Sequence, residues 1–321
     1  TLLKPSFRIE RLHWRDEDLG EIVTPRARLA ITRGVGSGLS RRPGAPPGLI
    51  WAITDRGPNI KMAQAIDEFG LAHLERLRDC VGAKLMPRPD IGPALCELRI
   101  VGENVELVRV MHLRDRDGRT FSGLPIPSDG ANVEPAFDMN GVSLGADVLG
   151  ADTEAVAAHT DGSFFVTDEY GPSILKVDDS GTVQWRWMPA GLSLAMRSAA
   201  HPVIDALPAI ASQRRLNRGF EAIALSPSGR RLFVAFQSAL AVDARRQLVR
   251  IWRLNAETGA VDAQFFYPFD DTSTFARDRA AGSNHADDLK LCELQALDDT
   301  RLLVLERISH TSKVYIATLD D

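Results

Sequence analysis

The chain has 321 residues with a net charge of −5, and its composition, 44% hydrophobic and 25% charged, is that of a folded protein large enough for one big domain. Basic pairs such as Arg41-Arg42, Arg214-Arg215 and Arg230-Arg231 are short and scattered, so nucleic acid is excluded as an expected partner. No apolar run approaches the length of about 18 residues that a membrane helix needs.

Taken in chain order, the dominant pattern is short strands broken by Gly, Pro, Asn and Asp turns. GLIWAITDRGPN reads as a strand ending at Asp55-Arg56. The stretch 57–93 reads as an insertion, with one helical pattern over Ala65–Cys80 that Gly70 interrupts. Cys80 and Cys96 flank a Pro/Gly-rich loop: they pair in an oxidising compartment or stay free thiols with Cys292, and the spacing of the three fits no zinc motif.

Three later segments repeat one plan. EAVAAHTDGSFFVTDEYG, EAIALSPSGRRLFVAFQS and DLKLCELQALDDTRLLVLERIS each begin with an acid, turn at a polar pair and return as a second apolar strand with a polar end. Further strands follow the hairpins, as in SILKVDD with GTVQWRWM and LVRIWRL with AVDAQFFYPF. The unit is about four antiparallel strands, the blade of a β-propeller. At roughly 40 to 50 residues per blade the expectation is a single six-bladed domain. Trp51, Trp185, Trp187 and Trp252 lie on strands and read as blade core.

In a hairpin the start of the first strand lies beside the end of the second. Glu154 is therefore expected near Asp168 and Glu169, Glu221 near Gln237, and Asp288 near Glu306, with Asp55 joining them at one mouth of the channel. Such a carboxylate ring calls for a hard cation held by oxygen, which points to Ca²⁺ rather than zinc or copper. Arg56, Arg218 and Arg307 flank these acids and are candidates for holding an anionic substrate, with His285 and Lys61 as lesser ones; salt bridges to the acids are the plainer reading. His159 belongs to the turn end of its hairpin.

The blocks DTEAVAAHTDGSFFVTDEYGPSI, NRGFEAIALSPSGRRLFVAFQ and RLLVLER, with SGLS, ITDRGPN and DGRTFSGLP, resemble the phytase-like family described as "esterase-like activity of phytase". That family carries Gly after the site acid, where this chain has Ala155 and Ala222. The resemblance implies a six-bladed propeller, Ca²⁺, export to the periplasm or medium, and ester hydrolysis. A chain that begins at Thr1 rather than Met fits removal of a leader. The leading expectation is a monomeric Ca²⁺-dependent hydrolase of small phosphate esters, with Glu154, Glu221 and Asp168 as catalytic candidates. Its acidic balance fits the highly anionic phytate poorly. The alternatives are a calcium-dependent lactonase or carboxylic esterase, and a non-catalytic propeller with structural calcium. No G-x-S-x-G nucleophile elbow is present.

Overall fold

Four hairpins organise the molecule. Their strands are Val35–Ser40 with Leu49–Thr54, Thr153–Ala158 with Phe164–Asp168, Phe220–Leu225 with Arg231–Phe236, and Lys290–Ala296 with Arg301–Arg307. The computed structural model describes residues 10–128, 133–246 and 248–319. The first strands of the four hairpins pack side by side, first on second, second on third and third on fourth. The Leu39 amide donates to Glu293 (3.3 Å) and ties the first hairpin to the fourth.

Each hairpin grows outward into its own sheet. The first adds Ala94–Val101 and Asn104–His112, the third adds Leu248–Asn255 and Val261–Pro268, and the fourth adds Ser312–Thr318. The second adds Ser173–Val177, Val183–Pro189 and Val203–Leu207, the last of these parallel to its neighbour. Two small sheets complete the described residues: Asp18–Val23 with Arg28–Thr32, and Ile60–Lys61, Lys84–Leu85 and Ala136–Phe137. The sequence led to six matched four-stranded blades. The described residues instead form six sheets of two to five strands, because 57–93 and the described residues between 113 and 150 run mostly as loops rather than as strands.

The hydrophobic core lies between sheets, as expected where each sheet buries both faces. One cluster joins the second, third and fourth sheets through Phe165, Trp187, Phe220, Phe233, Trp252 and Leu291. Another joins the first to the second through Trp51, Ile53, Phe164 and Val166. The helical pattern over Ala65–Cys80 is realised in two pieces, a helix at Met62–Asp67 and a 3-10 turn at Ala72–Leu77, parted at Gly70 with φ 77°. All three cysteines are free. No helix of the described residues is long and apolar enough to cross a membrane.

Candidate metal centre

The same backbone irregularity recurs in all four hairpins. The ladder skips between Val35 and Gly38, between Thr153 and Val156, between Phe220 and Ala222, and between Leu291 and Glu293. Each skip is a β-bulge on the first strand, at the end remote from the turn. Bulges re-aim side chains, and the residues set in them are Gly36-Ser37, Glu154-Ala155, Glu221 and Cys292. The freed amide of Ala155 is satisfied by Thr167 Oγ1 (2.9 Å).

The second strands supply the next layer from their ends at the mouth: Asp55, Glu169 and Gln237, each just after its strand, and Arg307, the last residue of its own. Two groups of carboxylate oxygens result. Asp55, Asp152 and Glu154 form one, Glu154, Glu169 and Glu221 the other, and within each the oxygens lie within 4.8 Å of one another. Glu154 belongs to both.

Neighbouring backbone fixes these acids. The Glu169 amide donates to the Asp152 carbonyl (2.8 Å), and the Gly219 amide donates to Glu169 Oε1 (2.9 Å). Arg56 is buried and donates to Glu134 (2.5 Å), the Tyr170 hydroxyl (2.8 Å) and Asn217 Oδ1 (2.8 Å), while Nη1 also lies 2.8 Å from Asp152 Oδ2. Asn217 adopts a left-handed backbone, φ 55°, which Asn tolerates better than most residues. A Cβ at Gly219 would stand 2.7 Å from the Glu169 Cα and carbonyl oxygen. We expect Gly219→Ala to cost about 1–3 kcal/mol in chemical denaturation and to weaken cation binding, because the crowded atoms belong to Glu169.

Electrostatics make the cluster costly without a counter-ion. Burial, reinforced by Glu221 and then Asp152, holds the Glu154 carboxyl well above its usual range. Burial raises Asp152 strongly against the pull of Arg56. Burial followed by Glu221 pushes Glu169 up to about 8. Burial also raises Glu221, partly offset by a hydrogen bond from Gln237. The same cause pushes Glu293 up to about 8. Between the ordinary carboxylate range and pH 8 the folded chain therefore keeps protons that the unfolded chain has released, so stability must fall as pH rises through that window. Cation-free protein is expected to melt lower at pH 8 than at pH 5 by roughly 5 °C or more; calorimetry after chelation measures this, and a rise would contradict the cluster.

The donor set fits a hard cation. All five acids offer oxygen, and the buried Asp152 Oδ1 and Glu221 Oε2 have no hydrogen-bond partner. Unpaired buried carboxylate oxygen is expensive unless it meets a proton or a metal ion.

Of the seven acids expected at the mouth, Asp55, Glu154, Glu169 and Glu221 meet in these groups. Asp168 and Glu306 stand outside both, because side chains alternate along a strand and each lies one residue before the mouth-facing position. Asp168 is fully buried against Arg186 and accepts from the amides of Asp152 (2.8 Å) and Tyr170 (3.0 Å) and from the Ser173 hydroxyl (2.8 Å). Glu306 accepts from the Tyr267 hydroxyl (3.0 Å). Asp288 sits in a 3-10 turn before its strand, and its place in the repeat is taken by Cys292. His285 is exposed in the same loop. Arg218 is spent on that loop, donating to the carbonyls of Asp287 (2.8 Å) and Leu289 (3.2 Å). Asp152 was missed, although its spacing of two from Glu154 puts both on one strand face. Ala155 is buried in the core cluster, and its backbone lies so close to Gly38 that a Cβ on the glycine would fall 2.6 Å from the Ala155 Cα.

The far side of the mouth has the opposite charge. Arg307 and Lys290 are cross-strand partners, Arg307 Nε donates to Cys292 Sγ (3.1 Å), and both cations act on Glu221. Burial pushes the Cys292 thiol up to about 12, so it is neutral.

The family model described as "Phytase-like: Esterase-like activity of phytase" matches residues 32–320. The chain belongs to the phytase-like family. A relative in Arthroderma benhamiae, described as an uncharacterized secreted protein, is 26% identical over 220 residues, 61% of this phytase-like chain and 41% of that protein. The chain thus spans under half of that relative's length. Among solved structures, the β-propeller domain of Myceliophteria thermophila Cps50 (Swd1) aligns at 10% identity over 95% of this chain and 75% of the other, with a TM-score of 0.33. A protein of unknown function from Bacteroides caccae aligns at 11% identity over 71% and 54%, with a TM-score of 0.30.

Proposed function

We propose that this phytase-like chain is an exported, Ca²⁺-dependent ester hydrolase acting on small phosphate esters at the mouth where the four hairpins meet. The observation that carries the reading is the bipolar mouth: five convergent carboxylates face Lys290 and Arg307 across Glu221. Asp55, Asp152, Glu154, Glu169 and Glu221 are the residues that would hold the cation. When bound, Ca²⁺ supplies positive charge that neutralises an anionic ester and activates water for attack. Lys290 and Arg307 orient the ester anion from the opposite side. With the cation offsetting their mutual repulsion, these carboxylates would be ionised near neutral pH, and one not drawn onto it could accept the proton of the attacking water. Arg56, locked between Glu134, Tyr170 and Asp152, positions Asp152 rather than substrate. Asp168 acts through Asp152 and Tyr170, whose amides it anchors.

A carboxylic ester or lactone is the second reading, favoured by one observation. A cavity of about 370 Å³ lined by Ile126, Pro172, Met188 and Leu192 shares Tyr170 and Glu134 with the Arg56 network, and its apolar wall suits an acyl group better than a polyphosphate.

The test is a calcium titration of chelator-stripped protein, following bound metal, melting temperature, and turnover of an aryl phosphate and an aryl ester in parallel. Calcium-dependent turnover supports the hydrolase, and the better substrate names the bond. Stabilisation by calcium without turnover leaves a structural ion. No binding overturns the reading.

A further inference from the structure

A second cavity, of about 390 Å³, lies at the turn ends of the second and third hairpins, away from the carboxylates. Its walls come from four sources: the turn at Asp161, the strands bearing Phe165, Lys176 and Trp185, the turn at Gly229-Arg230, and the turn at Asn255–Glu257. The tryptophans single it out. Trp51, Trp187 and Trp252 are at most 4% exposed and serve as core. Trp185 is only half-buried and forms a wall of this cavity. Its ring stacks on Trp187 with centroids 3.9 Å apart and planes 22° from parallel, so the platform is already held in place.

Lys176 is the second oddity. The other four residues of its strand are buried. Its ammonium lies 3.7 Å from the centroid of the Phe165 ring. Among the described residues it makes no hydrogen bond or ion pair. The nearby Asp161 carboxylate is already engaged by the Ser163 amide (2.8 Å) and hydroxyl. An ammonium stripped of part of its water, over a ring face and in the field of Asp161 but hydrogen-bonded to neither, has donors left for an anion. The exposed Arg230 adds a second cation at the rim, and Glu257 adds an acceptor.

We propose that this cavity binds a single six-membered ring bearing a carboxylate, with its flat face on Trp185 and its negative group on Lys176. The volume suits one ring with its substituents and lies at the small end of ligand pockets. Two kinds of molecule share this chemistry, uronic acids and aromatic acids. The site is independent of the carboxylate centre and of the hydrolase reading.

The experiment is isothermal titration of the intact, calcium-supplemented chain with glucuronate, benzoate and glucose, repeated on Lys176→Met and Trp185→Phe. The expected result is saturable binding of at least one anion, about tenfold weaker in Lys176→Met, with Trp185→Phe intermediate and the melting temperatures of both variants near native. Glucuronate without benzoate assigns uronates, and benzoate without glucuronate assigns aromatic acids. An unchanged affinity in Lys176→Met, glucose binding as well as glucuronate, or no binding of either anion at millimolar concentration overturns the proposal. None of these outcomes depends on ester turnover.

Discussion

Glu154→Gln is expected to move the melting temperature in opposite directions with and without calcium. Glu154 is shared by both carboxylate groups, so the amide removes one donor from each while nearly preserving shape. In chelated protein at pH 8 the substitution removes a half-buried carboxyl whose ionisation is opposed by burial, Glu221 and Asp152, and the variant should melt higher than the native chain. With calcium present the order should reverse, because affinity should fall by about 100-fold, near 3 kcal/mol. A destabilising packing error would lower both melting temperatures, so the crossing of the two effects is the diagnostic. Native calcium affinity in the variant would remove Glu154 from the ligand set and with it the link between the two groups.

Asp168→Asn should be the most damaging single change outside the ligand set. Asp168 and Arg186 are both fully buried and paired. Among the described residues Arg186 otherwise hydrogen-bonds only the Ser173 hydroxyl (2.8 Å) and the Gly150 carbonyl (3.0 Å). Removing the carboxylate strands a guanidinium in the interior, which costs about 3–5 kcal/mol. The expected readout is a shift of the denaturant midpoint of that size at unchanged slope. Calcium affinity should fall as well, because the new amide group facing Arg186 pushes on the side chain whose Oδ1 holds the backbone amides of Asp152 and Tyr170. The double variant Asp168→Asn/Arg186→Met should recover part of the loss, since it removes the stranded charge. A single variant no less stable than the double would contradict the ion-pair account.

The hairpins were legible because their signals are local: apolar runs of strand length, joined by Asp161-Gly162, Ser228-Gly229 and Asp298-Asp299. That the acids of one hairpin meet at its open end follows from antiparallel pairing, and that different hairpins share one mouth follows from the propeller arrangement expected of them. Which acids meet does not. Strand alternation makes a one-residue error decisive, so Asp168 and Glu169 look equivalent in sequence while one faces Arg186 and the other the mouth. The bulges compound this, because a ladder skip leaves no local sequence mark and shifts the repeat from Asp288 to Cys292. Asp152 was readable from its spacing to Glu154. Equal blades were not a safe inference from length, because loops consume chain without adding strands. The split helix was foreshadowed by Gly70, whose positive φ breaks the run.

The recurring bulge separates the scaffold from its chemistry. One backbone detail sets Ser37, Glu154, Glu221 and Cys292 at matching bulges of the four hairpins, while the apolar ladder beneath holds the sheets together. Exchanging the side chain at a bulge tip leaves the hairpin's pairing intact, so the polarity of the mouth can be rewritten one quadrant at a time. Drift at four positions is enough to carry such a framework from cation binding toward anion binding, or to silence it, with no change of fold.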